Sequence, residues 1–230
     1  MTQLAVLFED NHIIAVNKRC GDIVQGDKTG DRTLGDDVKD YLKEKYNKPG
    51  AVFIGVSHRI DRPTSGAVIF ARTSKALTRL NEMFKEDHLI QKTYWAVVDK
   101  KPEPTNGQLN HWLVRDTKQN KSFAYLNERK ESKKASLTYH YVGSSDRFHL
   151  IEIELHTGRH HQIRAQLAAI GLHIKGDLKY GFPRSNSDGG IHLHARKIEF
   201  IHPVTGDAVS ITAPPPNDPV WNYFIRSIEG

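Results

Sequence analysis

Two short apolar runs rich in β-branched residues, 4–8 and 12–17, are separated by the turn formers Glu9-Asp10-Asn11, which predicts an opening β-hairpin. Residues 21–35 carry four glycines and several aspartates without a sustained apolar period, and predict a long polar loop. The period then becomes helical. Thr33 is placed to cap a helix over 34–46, with Leu34, Val38, Tyr41 and Leu42 on one face and Pro49-Gly50 beyond its end. An apolar strand at 67–71 precedes a second helix, capped by Ser74, in which Ala76, Leu77, Leu80, Met83 and Phe84 keep the helical spacing. A further strand follows at 93–98.

The second half is patterned mostly as strands. Residues 109–126 mix polar and apolar positions and predict two irregular strands, whereas 136–142 and 149–155 alternate cleanly around a turn at 143–147. Ile163, Leu167 and Ile170 give a helical face ended by Gly171. Strand patterns return at 191–194 and 198–202, Pro214 to Pro216 exclude regular structure, and Val220, Tyr223, Phe224 and Ile228 mark a short final helix docking on the core. With no internal repeat, these elements predict one α+β domain over 1–230: a mixed, mainly antiparallel sheet with flanking helices.

Composition narrows the function. The chain of 230 residues has a formal net charge of +6 and a pI near 9.3, which suits a polyanionic partner. A single cysteine, Cys20, excludes a disulfide framework and an all-cysteine zinc cluster, and fits a reducing, cytoplasmic compartment. No apolar stretch approaches the about 18 residues of a membrane span, and Met1-Thr2-Gln3 does not begin a signal peptide. Gly21 and Gly26 have the spacing of a phosphate-binding loop, but Asp27 stands where that loop needs a lysine. The 13 histidines include His192 and His194 on one side of a strand, yet there is neither H-E-x-x-H nor a cysteine pair, so no metal is expected.

Two stretches are chemically dense. Ser57-His58-Arg59-Ile60-Asp61-Arg62-Pro63-Thr64-Ser65-Gly66 sets one carboxylate between two guanidinium groups, whose positive charge favours its ionised form, in a segment shaped by proline and glycine. A structural ion pair explains the same pattern. Ser57, His58 and Asp61 are sequence neighbours, which a hydrolase triad rarely uses, and no second acid suits a glycosidase. The other stretch, His156 to Arg164, lies at a strand-to-helix junction, where backbone N–H groups can meet an anion. Lys121, Arg129, Lys130, Lys133 and Lys134 form the densest basic run, suited either to a phosphate backbone or to a solvated loop. One carboxylate, many arginines and a tyrosine suit an extruded nucleotide: arginines for phosphates, a ring for the base, a carboxylate for the sugar or base.

Together these stretches resemble the RluA-type RNA pseudouridine synthases. Residues 58–66 resemble H-R-L-D-R-x-T-S-G, 157–164 resemble T-G-R-T-H-Q-I-R, and Gly176-Asp177 with Tyr180-Gly181 resemble G-D-x-x-Y-G. Lys92 to Val98 is similar to K-x-Y-x-A-x-V. Leu193-His194-Ala195, His202-Pro203 and Val16-Asn17-Lys18 follow the family's remaining elements, in order over nearly the whole chain. The resemblance implies the pseudouridine synthase catalytic fold with a central active-site cleft, and isomerisation of uridine in ribosomal or transfer RNA without metal or cofactor. It implies Asp61 as the catalytic aspartate, Tyr94 as the tyrosine that stacks on the base and assists a proton transfer, and Arg164 as the arginine that pairs with Asp61. Arg59 is implied to help displace the target base, and Arg62, Thr64, Arg159, His161, Gln162 and Lys18 to serve RNA binding. The chain starts directly at the catalytic fold, so no N-terminal S4-like RNA-binding domain and no obligate protein partner are expected, and a monomer is. Departures are His160 for the usual threonine, Gln166 for the usual histidine and Arg19 for a frequent proline, all expected at the rim. A non-catalytic RNA-binding protein that keeps the fold is the alternative, and a metal-dependent hydrolase built on His192 and His194 a third.

Overall fold

The computed structural model describes residues 4–26, 30–86 and 89–229; Met1-Thr2-Gln3 and Asp27, which bear on the expectations about the N-terminus and the phosphate loop, lie outside the described residues. Strands β1 (Val6–Glu9) and β2 (Ile13–Lys18) form the expected hairpin, its turn held by Asp10, which accepts from the N–H groups of His12 and Ile13. Helix α1 (Leu34–Lys45) starts in a capping box: the Thr33 hydroxyl accepts from Asp36 N–H, and the Asp36 carboxylate accepts from Thr33 N–H. After β3 (Gly55–Val56) and β4 (Ser65–Ala71) comes α2 (Ser74–Lys85). Its cap is Thr73, one residue before the expected Ser74, because the Thr73 hydroxyl is the one that reaches Ala76 N–H at 3.2 Å.

Strand β5 (Ile90–Val98) leads into β6 (Asn106–Asp116) and β7 (Lys121–Tyr125), then β8 (Lys133–Ser144) and β9 (His149–Leu155). Residues 109–126, expected as irregular, contain most of a regular hairpin, paired in step from Trp112↔Tyr125 to Asp116↔Lys121. Helix α3 (Gln162–Ala169) and a 3₁₀ turn over Leu178–Tyr180 follow, then β10 (Leu193–Ile201), β11 (Ala208–Thr212) and α4 (Pro219–Glu229). The polar pair Arg196-Lys197 does not interrupt β10; β11, which the pattern does not predict, pairs with it from Lys197↔Thr212 onward.

By its internal contacts the chain divides into two compact units, Met1–Ile90 with Ala195–Pro214, and Gln91–His194 with Pro215–Gly230. In the first, β2 lies between β1 and β4, β4 also pairs with the short β3, and β10 carries β11. Strand parity assigns its two faces. Ile13, Ala15, Ala67 and Ile69 pack with Ala76 and Leu80 of α2, while Ile14, Val16, Val68 and Phe70 pack with Leu34, Val38 and Leu42 of α1. A sheet covered on both faces explains why β2 and β4 read as continuous apolar runs.

The second unit orders its strands β5-β9-β8-β6-β7, each neighbouring pair antiparallel. Ala96, Val98, Ile151 and Ile153 pack with Ile163 and Leu167 of α3, and half-buried Tyr94 joins this face. Trp95, Val97 and Leu150 pack with Trp221 and Phe224 of α4. The docking face of α4 is therefore centred on Trp221 and Phe224, whereas Tyr223 and Ile228, expected on it, are 43% and 46% exposed. Among the described residues, no helix is long and apolar enough to cross a membrane.

Candidate active site

In the first unit, Asp61 opens a tight turn that Thr64 closes, its N–H donating to the Asp61 carbonyl at 3.0 Å just before β4. Gly66, the second residue of β4, has φ +121°, and a Cβ there would sit 2.4 Å from the Ala195 carbonyl oxygen, so only glycine lets β4 approach β10 this closely. Lys18, at the end of β2, pairs with Gly66 in register and is 1% exposed. Its Nζ donates to the carbonyls of Thr64 (2.7 Å), Arg19 (2.9 Å) and Arg62 (3.0 Å). An ammonium has three donors, and all three hold backbone around the Asp61 turn. Burial pushes the Lys18 pKa down from 10.5 to about 8, opposed by the charges of Asp22, Cys20 and Asp61 and reinforced by Arg62.

Above this buried lysine, Asp61 is half-buried and Arg59 and Arg62 are exposed. Arg59 Nη1 reaches Gln25 Oε1 at 3.5 Å; Arg62 Nε donates to the Gly21 carbonyl, and its Nη1 lies 3.4 Å from Asp31. His58 serves structure: its Nε2 accepts from Ile69 N–H at 2.9 Å, and its ring stacks on Phe84 at 4.3 Å. Thr64 is 2% exposed, within the wall that supports the turn.

In the second unit, the loop before α3 is tied by Gln162, whose Oε1 accepts from the Thr157 hydroxyl (2.7 Å) and Arg159 N–H (3.0 Å) while its Nε2 donates to the Ser136 carbonyl. His161, in left-handed conformation at the helix start, stacks on His160 and has Nδ1 3.0 Å from the Tyr180 hydroxyl. Arg159 is exposed and donates from Nε to the Lys134 carbonyl. Arg164, 4% exposed, forms a bidentate pair with Asp177: Nε to Oδ2 at 2.6 Å and Nη2 to Oδ1 at 2.8 Å. Its guanidinium also lies 5.0 Å from the Tyr180 ring centre. Tyr94, on the α3 face of β5, is half-buried in the same apolar cluster as Ile163 and Leu167.

The sequence pattern of RNA pseudouridylate synthases matches residues 12–169. The chain belongs to the RNA pseudouridylate synthase family. Among curated relatives, it is 32% identical over 225 residues to ribosomal large subunit pseudouridine synthase D of Zymomonas mobilis, covering 94% of this chain and 70% of that protein. It is 28% identical to tRNA pseudouridine synthase C of Pectobacterium carotovorum, covering 92% of this chain and 59% of that protein. Among solved structures, human RNA pseudouridylate synthase domain containing 4 superposes with a TM-score of 0.77 at 22% identity, over 98% of this chain and 92% of that one, a likeness of fold. Pseudouridylate synthases are isomerases that convert uridine in RNA to pseudouridine.

Within this isomerase the motif residues divide by burial. Lys18, Thr64, His161, Gln162 and Arg164 are buried and bond to their own unit, while Arg59, Arg62 and Arg159 are exposed. In the sequence Asp177 is a letter of the G-D-x-x-Y-G motif with no evident role; the signal that points to it is that an arginine buried in a strand-to-helix junction needs a carboxylate. Gln166, expected at the rim, is fully buried. It faces β6 and β8, its Nε2 reaching the carbonyls of Leu109 (3.0 Å) and Ala135 (3.3 Å) and His111 Nδ1 (3.1 Å). His192 is held between Asn186, Asp218 and the Trp221 ring, so its neighbours serve packing and hydrogen bonding.

Proposed function

We propose that this chain isomerises specific uridines of ribosomal or transfer RNA with Asp61 as its catalytic residue, Tyr94 as the ring that stacks on the base and Arg164 as the charge partner of the carboxylate. The C1′–N1 bond breaks, the uracil turns, and C1′ bonds to C5; C5 loses a proton and N1 gains one, so the atoms balance without a cofactor. Arg59, Arg62 and Arg159, exposed on their loops, meet the RNA, with Arg59 displacing the target base. Lys18, Thr64, His161 and Gln162 act by holding the two loops in shape. The protein works as a cytoplasmic monomer on this reading.

The observation that carries the proposal is the support under Asp61: a half-exposed carboxylate on a turn whose backbone is fixed by the three donors of a buried lysine. Catalysis rewards such fixed placement, since reacting groups must be held near attack geometry. A protein that only bound RNA would gain little from it. Parent and Asp61→Asn are incubated with cellular RNA and pseudouridine is mapped; product is expected from the parent alone. Equal product from both removes Asp61 from the chemistry, and RNA binding without product from the parent favours the non-catalytic alternative.

A further inference from the structure

We propose that β7 and the loop between β7 and β8, together with the C-terminal half of α3, form a second RNA contact, separate from the residues assigned to chemistry, which holds one unpaired nucleobase and its flanking phosphates. The proposal rests on the RNA isomerase reading and adds a subsite to it. Charge is concentrated here: residues 115–134 hold seven basic against three acidic side chains, a net +4 in a chain whose total is +6. That concentration suits a phosphate backbone better than a neutral partner.

Shape and ring chemistry point the same way. A groove of about 240 Å³ is bounded by Lys121, Phe123 and Tyr125 of β7, by Ala168 and Ala169 of α3, and by Tyr180. Ala124, Ala165, Ala168 and Ala169 leave room for a flat ring, and Lys121, Phe123, Tyr125 and Tyr180 bring cationic and aromatic groups to the lining. At the groove, Lys121 Nζ lies 5.3 Å from the Phe123 ring centre and 5.0 Å from that of Tyr180. Outside its lining, the Arg129 guanidinium lies 5.4 Å from Tyr125, and Lys134 Nζ lies 5.2 Å from Trp112. Among the described residues, Lys121, Arg129 and Lys134 have no carboxylate partner, so their charge is balanced only by ring faces and solvent. Tyr125 is 37% exposed and the adjacent Leu126 is 80% exposed. Aromatic rings interleaved with cations along a basic strand are the chemistry that binds single-stranded nucleic acid by stacking and phosphate contact.

The groove is also rigid. The Tyr180 hydroxyl accepts from Ser122 N–H at 2.8 Å and lies 3.1 Å from the Ser122 carbonyl, fixing the outer edge of β7 to the 3₁₀ turn. A preformed site loses less entropy when it binds.

The test compares the parent with Tyr125→Ala, Tyr125→Phe and the double variant Lys121→Gln/Arg129→Gln. Affinity for a labelled, mixed-sequence single-stranded RNA oligonucleotide is read by fluorescence anisotropy across a salt series, and single-turnover isomerisation by tritium release from unmodified ribosomal and transfer RNA transcripts carrying [5-³H]uridine. Tyr125→Ala should bind roughly 5- to 100-fold more weakly because one base no longer stacks on a ring, while Tyr125→Phe keeps parental affinity. The double variant should lower the log–log salt slope by about 0.7 for each RNA phosphate it no longer neutralises. At saturating enzyme all variants should keep the parental rate. Parental affinity and slope in both Tyr125→Ala and the double variant overturn the proposal, as does a fall in saturating rate with binding unchanged. If the variants bind as expected but the parent releases tritium from no RNA, the second RNA site stands and the isomerase reading fails.

Discussion

Replacing Lys18 with methionine separates stability from positioning, because the two effects have different sizes. The substitution keeps the apolar stem and removes an Nζ that donates to the carbonyls of Thr64, Arg19 and Arg62. The Arg62 carbonyl retains the Gly21 N–H at 2.9 Å, so two carbonyls lose a donor without this second one, at about 1–3 kcal/mol each. Against that loss, the variant no longer buries an ammonium whose pKa falls from 10.5 to about 8, a penalty of roughly 3 kcal/mol. The terms largely cancel. Net destabilisation should not exceed about 3 kcal/mol, a fall in Tm of no more than about 10 °C. On the role proposed for Asp61, activity has no such compensation: the backbone around it loses its fixed point, and a shift of about 1 Å in a reacting group costs on the order of 100-fold. Tritium release at saturating [5-³H]uridine RNA should show kcat carrying that loss, with KM little changed. A variant with parental kcat and a lowered Tm would show that Lys18 supports only the fold.

Lys18 also gives a pH signature. Its folded pKa lies below its unfolded value, so between about pH 8 and pH 10.5 the unfolded chain holds more protons and this residue adds stability as pH rises. The stability of the parent relative to Lys18→Met, followed by thermal unfolding, should therefore increase across that window, and an unchanged difference would contradict the assigned burial penalty. Asp177→Asn breaks the bidentate pair with buried Arg164 and should cost about 3–5 kcal/mol in denaturant unfolding, together with isomerase activity. Gly66→Ala places a methyl group against the Ala195 backbone at a positive φ; a well-folded protein within about 5 °C of the parental Tm would refute that packing.

The pattern revealed elements whose two faces differ and failed where neighbours supply the difference. The capping of α1 was readable because Thr33 and Asp36 stand three residues apart, but at α2 adjacent Thr73 and Ser74 offered two equivalent hydroxyls, and only the backbone geometry selects the first. The mixed pattern of β6 and β7 comes from a hairpin at the end of a strand order, less covered than β2 or β4. Trp221 does not stand out in the pattern, because it lies beside Val220 and two residues before Tyr223, while its burial is set by packing against Trp95, Val97 and Leu150 of β5 and β9. At the site, motif letters single out residues and are silent on which bond to what. Nothing in the spacing of Lys18 reveals that its acceptors are carbonyls 1, 44 and 46 residues away.

The division of the motif residues by burial gives those letters a physical order. Lys18, Thr64 and Gly66 are constrained by backbone atoms: an ammonium matched to three carbonyls, a side chain enclosed in the wall, and a glycine at a closest approach. Gln162 and the Arg164–Asp177 pair impose the same kind of constraint on the loop before α3. None of these groups needs to touch RNA for its replacement to abolish activity, because a shaped loop is a precondition for placing a reacting group. Arg59, Arg62 and Arg159 differ in kind. They are exposed, and they bond to a distant amide, two carbonyls and an exposed aspartate, so an RNA phosphate can compete for them at little cost to the fold. Loss of a buried group should therefore appear in kcat and stability, and loss of an exposed arginine in RNA affinity and its salt dependence.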